Sequence, residues 1–524
     1  MVPRTLVLAA FLASVTLTGV AAKEFRFAFQ SDVGSMDPYN LNEAFSLGIQ
    51  GNVYEGLTRR DPNLVMQPAL ATGWQMLEPT RWRFTLRPNV VFHDGRPFSA
   101  DDVVFSATRV RADGSDLKSR LSSVADVVKI DERTIDFLLR APNPLLPNEW
   151  DTWYILSKGW AEQNNATRPH SAQSREESFA TRNANGTGPF RLTSREPDVR
   201  SVFAPHDTWW DTKTHNLTRV TMTPIAVDAT RVAALLSGQI DMAFPVPAQD
   251  VARLQANPAT RVLLKPEVRA IFLGLDQSRD ELLYSDVKGK NPLKDRRVRL
   301  AMYQAIDIEA IRDKVMRGLS TPTAMMVGPG VAGFDPEQPR YPFDPLAAKQ
   351  LLTDAGYPNG FRLTLDCPND RYNNDEAICQ ALVPMLARIG ITVDLKAIPK
   401  VQYFAKVPPP KRDTSFYLLG WTAAGYDSLN VLGALLMCPS DRGTGPFNVG
   451  GYCNPEVDRL TVALSQEADL QKRAALTREA WRIVRDDVAY LPLHNQILAW
   501  GVRSNVDLAQ RADDILDWRH ITVR

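Results

Sequence analysis

Strand-like and helix-like patterns alternate along most of this chain, and that alternation limits it to α/β architectures. Lys23 to Ser31 (KEFRFAFQS) reads as an opening strand, and Met36 to Asn40 breaks the pattern as a loop. Gly48 to Leu57 looks helical. In WRFTLR, Trp82, Phe84 and Leu86 alternate with Arg83, Thr85 and Arg87, as in a half-buried strand. A turn follows at His93-Asp94-Gly95, and Ser99 then caps a helix running to Val110 with Asp101 and Asp102 in its first turn. Asp228 caps a helix ending at Gly238, and Ile240 to Phe244 reads as a strand. Apolar positions recur at helical spacing from Val298 to Ile306. Asp344-Pro345 starts a helix that stops before Gly356. Ala377 to Ile389 is helical, Ile391 to Lys396 is a strand, residues 468–487 form a late helix, and Tyr490 to Ile497 reads as a strand. Such alternation predicts lobes with largely parallel sheets. The β-rich stretch around residues 60–110 is an additional unit, and the polar run Gln163 to Thr187 puts a boundary near residue 185.

The first 22 residues set the compartment. Arg4 precedes an apolar run from Leu6 to Leu17, and Val20-Ala21-Ala22 offers a small-residue cleavage site before Lys23. This is the pattern of a secretory signal peptide. An uncleaved anchor is the alternative, but the run falls short of the ~20 residues a spanning helix needs. Of 524 residues, cleavage leaves 502, enough for two or three domains. The 61 Lys and Arg residues nearly balance the 60 Asp and Glu, and loss of Arg4 makes the balance even. A nucleic-acid partner, which would call for a basic excess, is not expected. Four cysteines in an exported chain permit two disulfides; we expect Cys367–Cys379 and Cys438–Cys453, although sequence alone allows three connectivities. A zinc site is disfavoured, because these cysteines show no C-x-x-C and no nearby histidine.

No catalytic constellation is legible. Gly328-Pro329-Gly330-Val331-Ala332-Gly333 matches G-x-G-x-x-G, but Pro329 lacks the N–H a dinucleotide site needs. The phosphate-cradling loop, the G-x-S-x-G nucleophile elbow and H-E-x-x-H do not occur. The six histidines show no ligand-spaced pair, and Asp101 and Asp102 point to different faces of a helix. We expect no catalytic residues, no metal and no cofactor.

The block PALATGWQMLEPTRWRFTLRPNVVFHDGRPFSADDVVFSATRV, from Pro68 to Val110, closely resembles the signature of the dipeptide/oligopeptide class of periplasmic solute-binding proteins. Further pieces agree in order: Thr187-Gly188-Pro189-Phe190, Trp209-Trp210, Ser237-Gly238-Gln239-Ile240-Asp241, DRRVRLAMYQAID from Asp295, Gly420-Trp421, and Tyr452-Cys453-Asn454-Pro455. The resemblance implies an α/β, two-lobed periplasmic binding protein fold with a hinge and an extra β-rich domain on lobe one. Lobe one would comprise 23–58, 185–272 and 490–524, the extra domain 59–184, and lobe two 273–489. It also implies a monomer that carries peptides or peptide-like compounds to the permease and ATPase of an inner-membrane importer. A receptor for a sugar, an opine or another non-peptide solute is the alternative. A secreted hydrolase would need a nucleophile or metal cluster, and a chaperone or adhesion role would favour an open apolar groove.

In peptide-binding members of that class, a carboxylate three positions after the Gly-Trp tryptophan pairs with the ligand ammonium. Here that position is Ala424, and the next acid is Asp427. An arginine at the start of a later helix meets the ligand carboxylate in dipeptide binders. Here Asn374-Asp375-Glu376-Ala377 is acidic, with Arg371 upstream. Ordinary dipeptides are therefore expected to bind poorly. The candidate ligand-binding residues are Trp421, Asp427, Arg371, Tyr372, Tyr426 and the loop residues Gly34 and Ser35.

Overall fold

The computed structural model describes residues 23–170, 177–440 and 443–524. The segment 1–22 expected to be a signal peptide, and part of the polar run Gln163 to Thr187, lie outside the described residues. Two long strands, Thr260–Leu275 and Leu491–Arg503, pair antiparallel from Thr260 opposite Arg503 to Leu273 opposite Leu491. They form the spine of a single 11-stranded sheet shared by both lobes.

On one side of this spine lie Met242–Ala243, Glu24–Phe29, Arg219–Pro224, Arg200–Pro205 and Phe190–Glu196 in spatial order. On the other lie Phe416–Trp421, Phe361–Pro368 and Ile391–Ile398. Parallel pairing occurs between Glu24–Phe29 and its two neighbours, and within the outer group of lobe two. The spine and its junctions are antiparallel. The expectation of largely parallel sheets is thus corrected to a mixed sheet. The reason is that the connecting strands return through the hinge rather than crossing over a helix.

A separate four-stranded antiparallel sheet carries the extra β-rich domain, in the order Ala71–Glu78, Arg81–Leu86, Thr134–Leu139 and Val124–Asp131. Its inner face buries Phe84 and Phe137 against Trp150, with Phe137 and Trp150 ring centroids 4.5 Å apart. Residue Ser99 makes the expected cap for Ala100–Arg111, within a capping box completed by Asp102. The early helix is Ala44–Gln50 rather than Gly48 to Leu57. Its cap is Glu43, whose carboxylate accepts from the Phe45 and Ser46 amides. Glutamate is a weak cap signal beside Ser, Thr, Asp or Asn, so the start is hard to see in sequence.

Both disulfides are present, Cys367–Cys379 across 12 positions and Cys438–Cys453 across 15. The sequence blocks around Thr187 and Trp209 turn out to meet at one buried carboxylate. Glu55 accepts from the Thr187 hydroxyl at 2.9 Å and from the indoles of Trp209 and Trp210 at 3.2 and 2.7 Å. At Gly188 the backbone runs so close to Val53 that an added Cβ would stand 2.7 Å from its carbonyl. These motifs hold two segments of lobe one together at its junction with the extra domain. His93 serves the same junction, with Nδ1 accepting from the Gly186 amide and Nε2 donating to the Gly188 carbonyl at 3.0 Å.

Candidate functional site

The hinge pairing contains a fault, and a cavity opens beside it. Pro266 pairs with Ile497 and Ala270 with Asn495, so Glu267, Val268 and Arg269 stand opposite Gln496 alone. Such a bulge bends the strand and re-aims side chains. Here Glu267 and Arg269, ion-paired at 3.2 Å, join Gln496 in the floor of a cavity of about 500 Å3. The rest of the floor comes from Leu498, Trp500, Asp513 and Asp514. Phe29, Phe45 and Pro245 wall it from lobe one, and Met316, Arg371 and Tyr372 from lobe two. A cavity of this size, lined mainly by polar and charged side chains with a few aromatic rings among them, suits a small polar solute.

The loop carrying Arg371 and Tyr372 is tightly built. It connects strand Phe361–Pro368 to helix Asp375–Ala387. The buried Asp375 carboxylate accepts from the amides of Arg371 and Tyr372, each at 2.9 Å. Burial holds that carboxyl above its ordinary range, against the pull of these amides. The Tyr372 hydroxyl donates to the Gly420 carbonyl at 3.3 Å. An added Cβ at Gly420 would stand 2.7 Å from the Tyr372 ring and 2.6 Å from Ile271. The glycine of the Gly-Trp motif is therefore there to seat Tyr372. Gly420→Ala is expected to cost about 1–3 kcal/mol by overpacking and to push Tyr372 toward the cavity. Thermal denaturation read beside solute affinity checks this, since both should fall together.

The remaining candidates lie outside the cavity wall, each with partners in the protein. The Trp421 indole donates to Asn430 Oδ1 at 2.9 Å, and Asn430 also accepts from the Ala424 amide. Asp427 caps the helix from Ser428, accepting from the Leu429 amide at 2.8 Å, and pairs with Arg473 at 3.0 Å. The Tyr426 hydroxyl donates to Asp513 at 2.9 Å beneath the Arg60 guanidinium. Arg60 in turn donates to the carbonyls of Asn148 and Gly425, so this loop bridges lobe two and the extra domain. Ser35 Oγ accepts from the Asp37 amide and Asn40 Nδ2, and Gly34 packs against Leu41.

Sequence reasoning missed Glu267, Arg269, Gln496, Asp513 and Asp514. A signal was present in Pro266-Glu267-Val268-Arg269, a proline and two opposite charges inside an otherwise strand-like run. Asp513 and Asp514 follow the last long strand, where nothing in the sequence tells a cavity floor from a surface loop.

Residues 65–442 match the model of the bacterial extracellular solute-binding proteins, family 5, middle region. The chain belongs to this family of solute-binding proteins. It is similar to the glutathione-binding protein GsiB of Salmonella typhi, 27% identical over 485 residues, covering 90% of this chain and 89% of that one. Its fold matches that of HbpA2 from Haemophilus parasuis at a TM-score of 0.81, with 23% identity over 96% of this chain and all of the other. It matches the periplasmic binding protein DppA from Helicobacter pylori, in complex with the peptide STSA, at 0.76, with 24% identity over 96% of this chain and 98% of that one. Among the described residues of this family member, no helix is long and apolar enough to cross a membrane.

Proposed function

We propose that this chain is a periplasmic receptor, exported with Met1–Ala22 removed, that captures a peptide or peptide-like solute by lobe closure. It hands the solute unchanged to an ATP-driven inner-membrane importer, acting as a monomer. Lobe one is taken as 23–58, 185–272 and 490–524, the extra domain as 59–184, and lobe two as 273–489. The observation that carries this reading is the cavity itself: its walls come from both lobes and its floor from the strands that join them. A solute held there exchanges water for contacts from both sides, and the hinge strands let the walls approach. The GsiB likeness, which spans most of both chains, supports a peptide-like solute. Arg371 and Tyr372 are the lobe-two contacts in this reading, and Arg371 takes the anionic group.

Native mass spectrometry of protein purified without refolding is expected to reveal a bound solute. Small-angle scattering should then show compaction when that solute is added back to stripped protein. A solute recovered chemically altered would favour a hydrolase instead.

A further inference from the structure

The charges lining the cavity are mostly spoken for. Glu43 caps its helix, Asp370 accepts from the Lys400 amide at 2.6 Å, and Glu267 pairs with Arg269. Asp513 is held by Arg511 and Tyr426. Two charged groups stand apart. Asp514 accepts the Trp500 indole N–H on Oδ1 at 2.7 Å, and its Oδ2 has no partner among the described residues. The Arg371 guanidinium, exposed to the cavity, lies over the Tyr372 ring without an ion pair among the described residues. Beside them Gln496, 2% exposed and lining the same cavity, has an Nε2 with no hydrogen-bond partner. A buried donor left unpaired is costly unless something else fills the place.

Resting on the receptor reading above, we propose that Asp514 binds the cationic group of the solute. Gln496 donates beside it and Arg371 takes the anionic end, so that the cleft selects zwitterions bearing a primary ammonium. Three further observations support this. Asp514 adopts φ 63°, a left-handed conformation that few residues other than glycine, asparagine and aspartate take, and it presents the carboxyl to the cavity. Its surroundings are short of cations: Glu267 and Asp513 face it, and Arg269 is shared with Glu267. Burial first, then these acids, push its carboxyl up to about 7 against the pull of Trp500 and Arg269. An incoming ammonium supplies the charge that is missing.

The test is calorimetry with Ala-Ala, reduced glutathione and the tetrapeptide STSA, each as the free amine and N-acetylated. Asp514→Asn keeps the Trp500 acceptor and suits a left-handed position, so it removes charge and little else. Free amines should bind the parent at least ~30-fold more tightly than acetylated forms, and Asp514→Asn should abolish that difference. From pH 7.5 to 5.5 the parent should lose roughly tenfold in affinity as Asp514 takes up a proton, while the variant stays flat. Equal binding of acetylated and free forms, or unchanged affinity in Asp514→Asn, would overturn the assignment. If no free amine binds and native mass spectrometry recovers a solute without an amine, the inference fails and the receptor reading stands. If no probe binds and no solute is recovered, both fail.

Discussion

Replacing Cys367 and Cys379 together with alanine is expected to lower stability by about 3 kcal/mol and also to weaken solute binding. The bond spans 12 positions, and both cysteines are fully buried. In the chain-entropy account, a loop of about 15 residues gives about 3 kcal/mol, and this one is slightly shorter. What it encloses matters more for function. Between the two cysteines lies the loop 370–374, which walls the cavity with Arg371 and Tyr372. The bond ties the end of strand Phe361–Pro368 to the second turn of helix Asp375–Ala387, so both stems of that loop are fixed. Without it, part of the ordering moves to the binding step. At about 0.5–1.5 kcal/mol per side chain newly immobilised, affinity should fall roughly 2- to 10-fold.

Cys438–Cys453 supplies the comparison. It spans 15 positions, and Cys453 is exposed and outside the cavity wall. Removing it should cost similar stability and leave affinity unchanged. Denaturant unfolding and calorimetry on the two double variants separate the effects. Equal affinity losses in both would show that the Cys367–Cys379 bond does not act through the Arg371 loop.

Much of the fold is legible in the sequence because local signals agree with it. The pattern in WRFTLR, the Ser99 cap, Asp344-Pro345 and Gly356 each mark an element that forms where expected. The spine is harder to read. Thr260–Leu275 contains Pro266 and four charged side chains, at Arg261, Lys265, Glu267 and Arg269, which argue locally against a central strand. Pairing with Leu491–Arg503 on one edge and Phe416–Trp421 on the other, both more than 100 positions away, makes it one. The site divides in the same way. Arg371 and Tyr372 stand out as a cation and an aromatic ring in a polar loop between strand and helix. Asp514 does not, because its role depends on a bulge, a distant indole and a shortage of cations that only the folded chain brings together. Asp427 looks like a ligand group in sequence, while in the structure a helix end and Arg473 compete for it.

The loop holding Gly34 and Ser35 depends on a buried ion pair, and breaking that pair should be among the most damaging single changes in this chain. Asp37 and Arg109 have side chains 0% exposed. Arg109 Nη1 donates to Asp37 Oδ1 at 2.9 Å and its Nη2 donates to Oδ2, while Nε donates to the Ala166 carbonyl at 3.0 Å. The Tyr39 ring lies against the guanidinium at 5.3 Å, and the Tyr39 amide donates to the same carboxylate. Asp37 thus ties its own loop to the long helix of the extra domain around one charge. Asp37→Ala leaves Arg109 buried without its anion, and such losses cost about 3–5 kcal/mol. For a unit of 150–250 residues, that is a drop in Tm on the order of 10 °C. Replacing both partners, as Asp37→Ala with Arg109→Met, removes the stranded charge along with the pair. It should therefore be less harmful than Asp37→Ala alone, which is the signature of a desolvated pair rather than of lost packing. Scanning calorimetry on the two singles and the double decides it. If the double variant is the least stable of the three, packing around Arg109 carries this region and the charge pair is incidental to it.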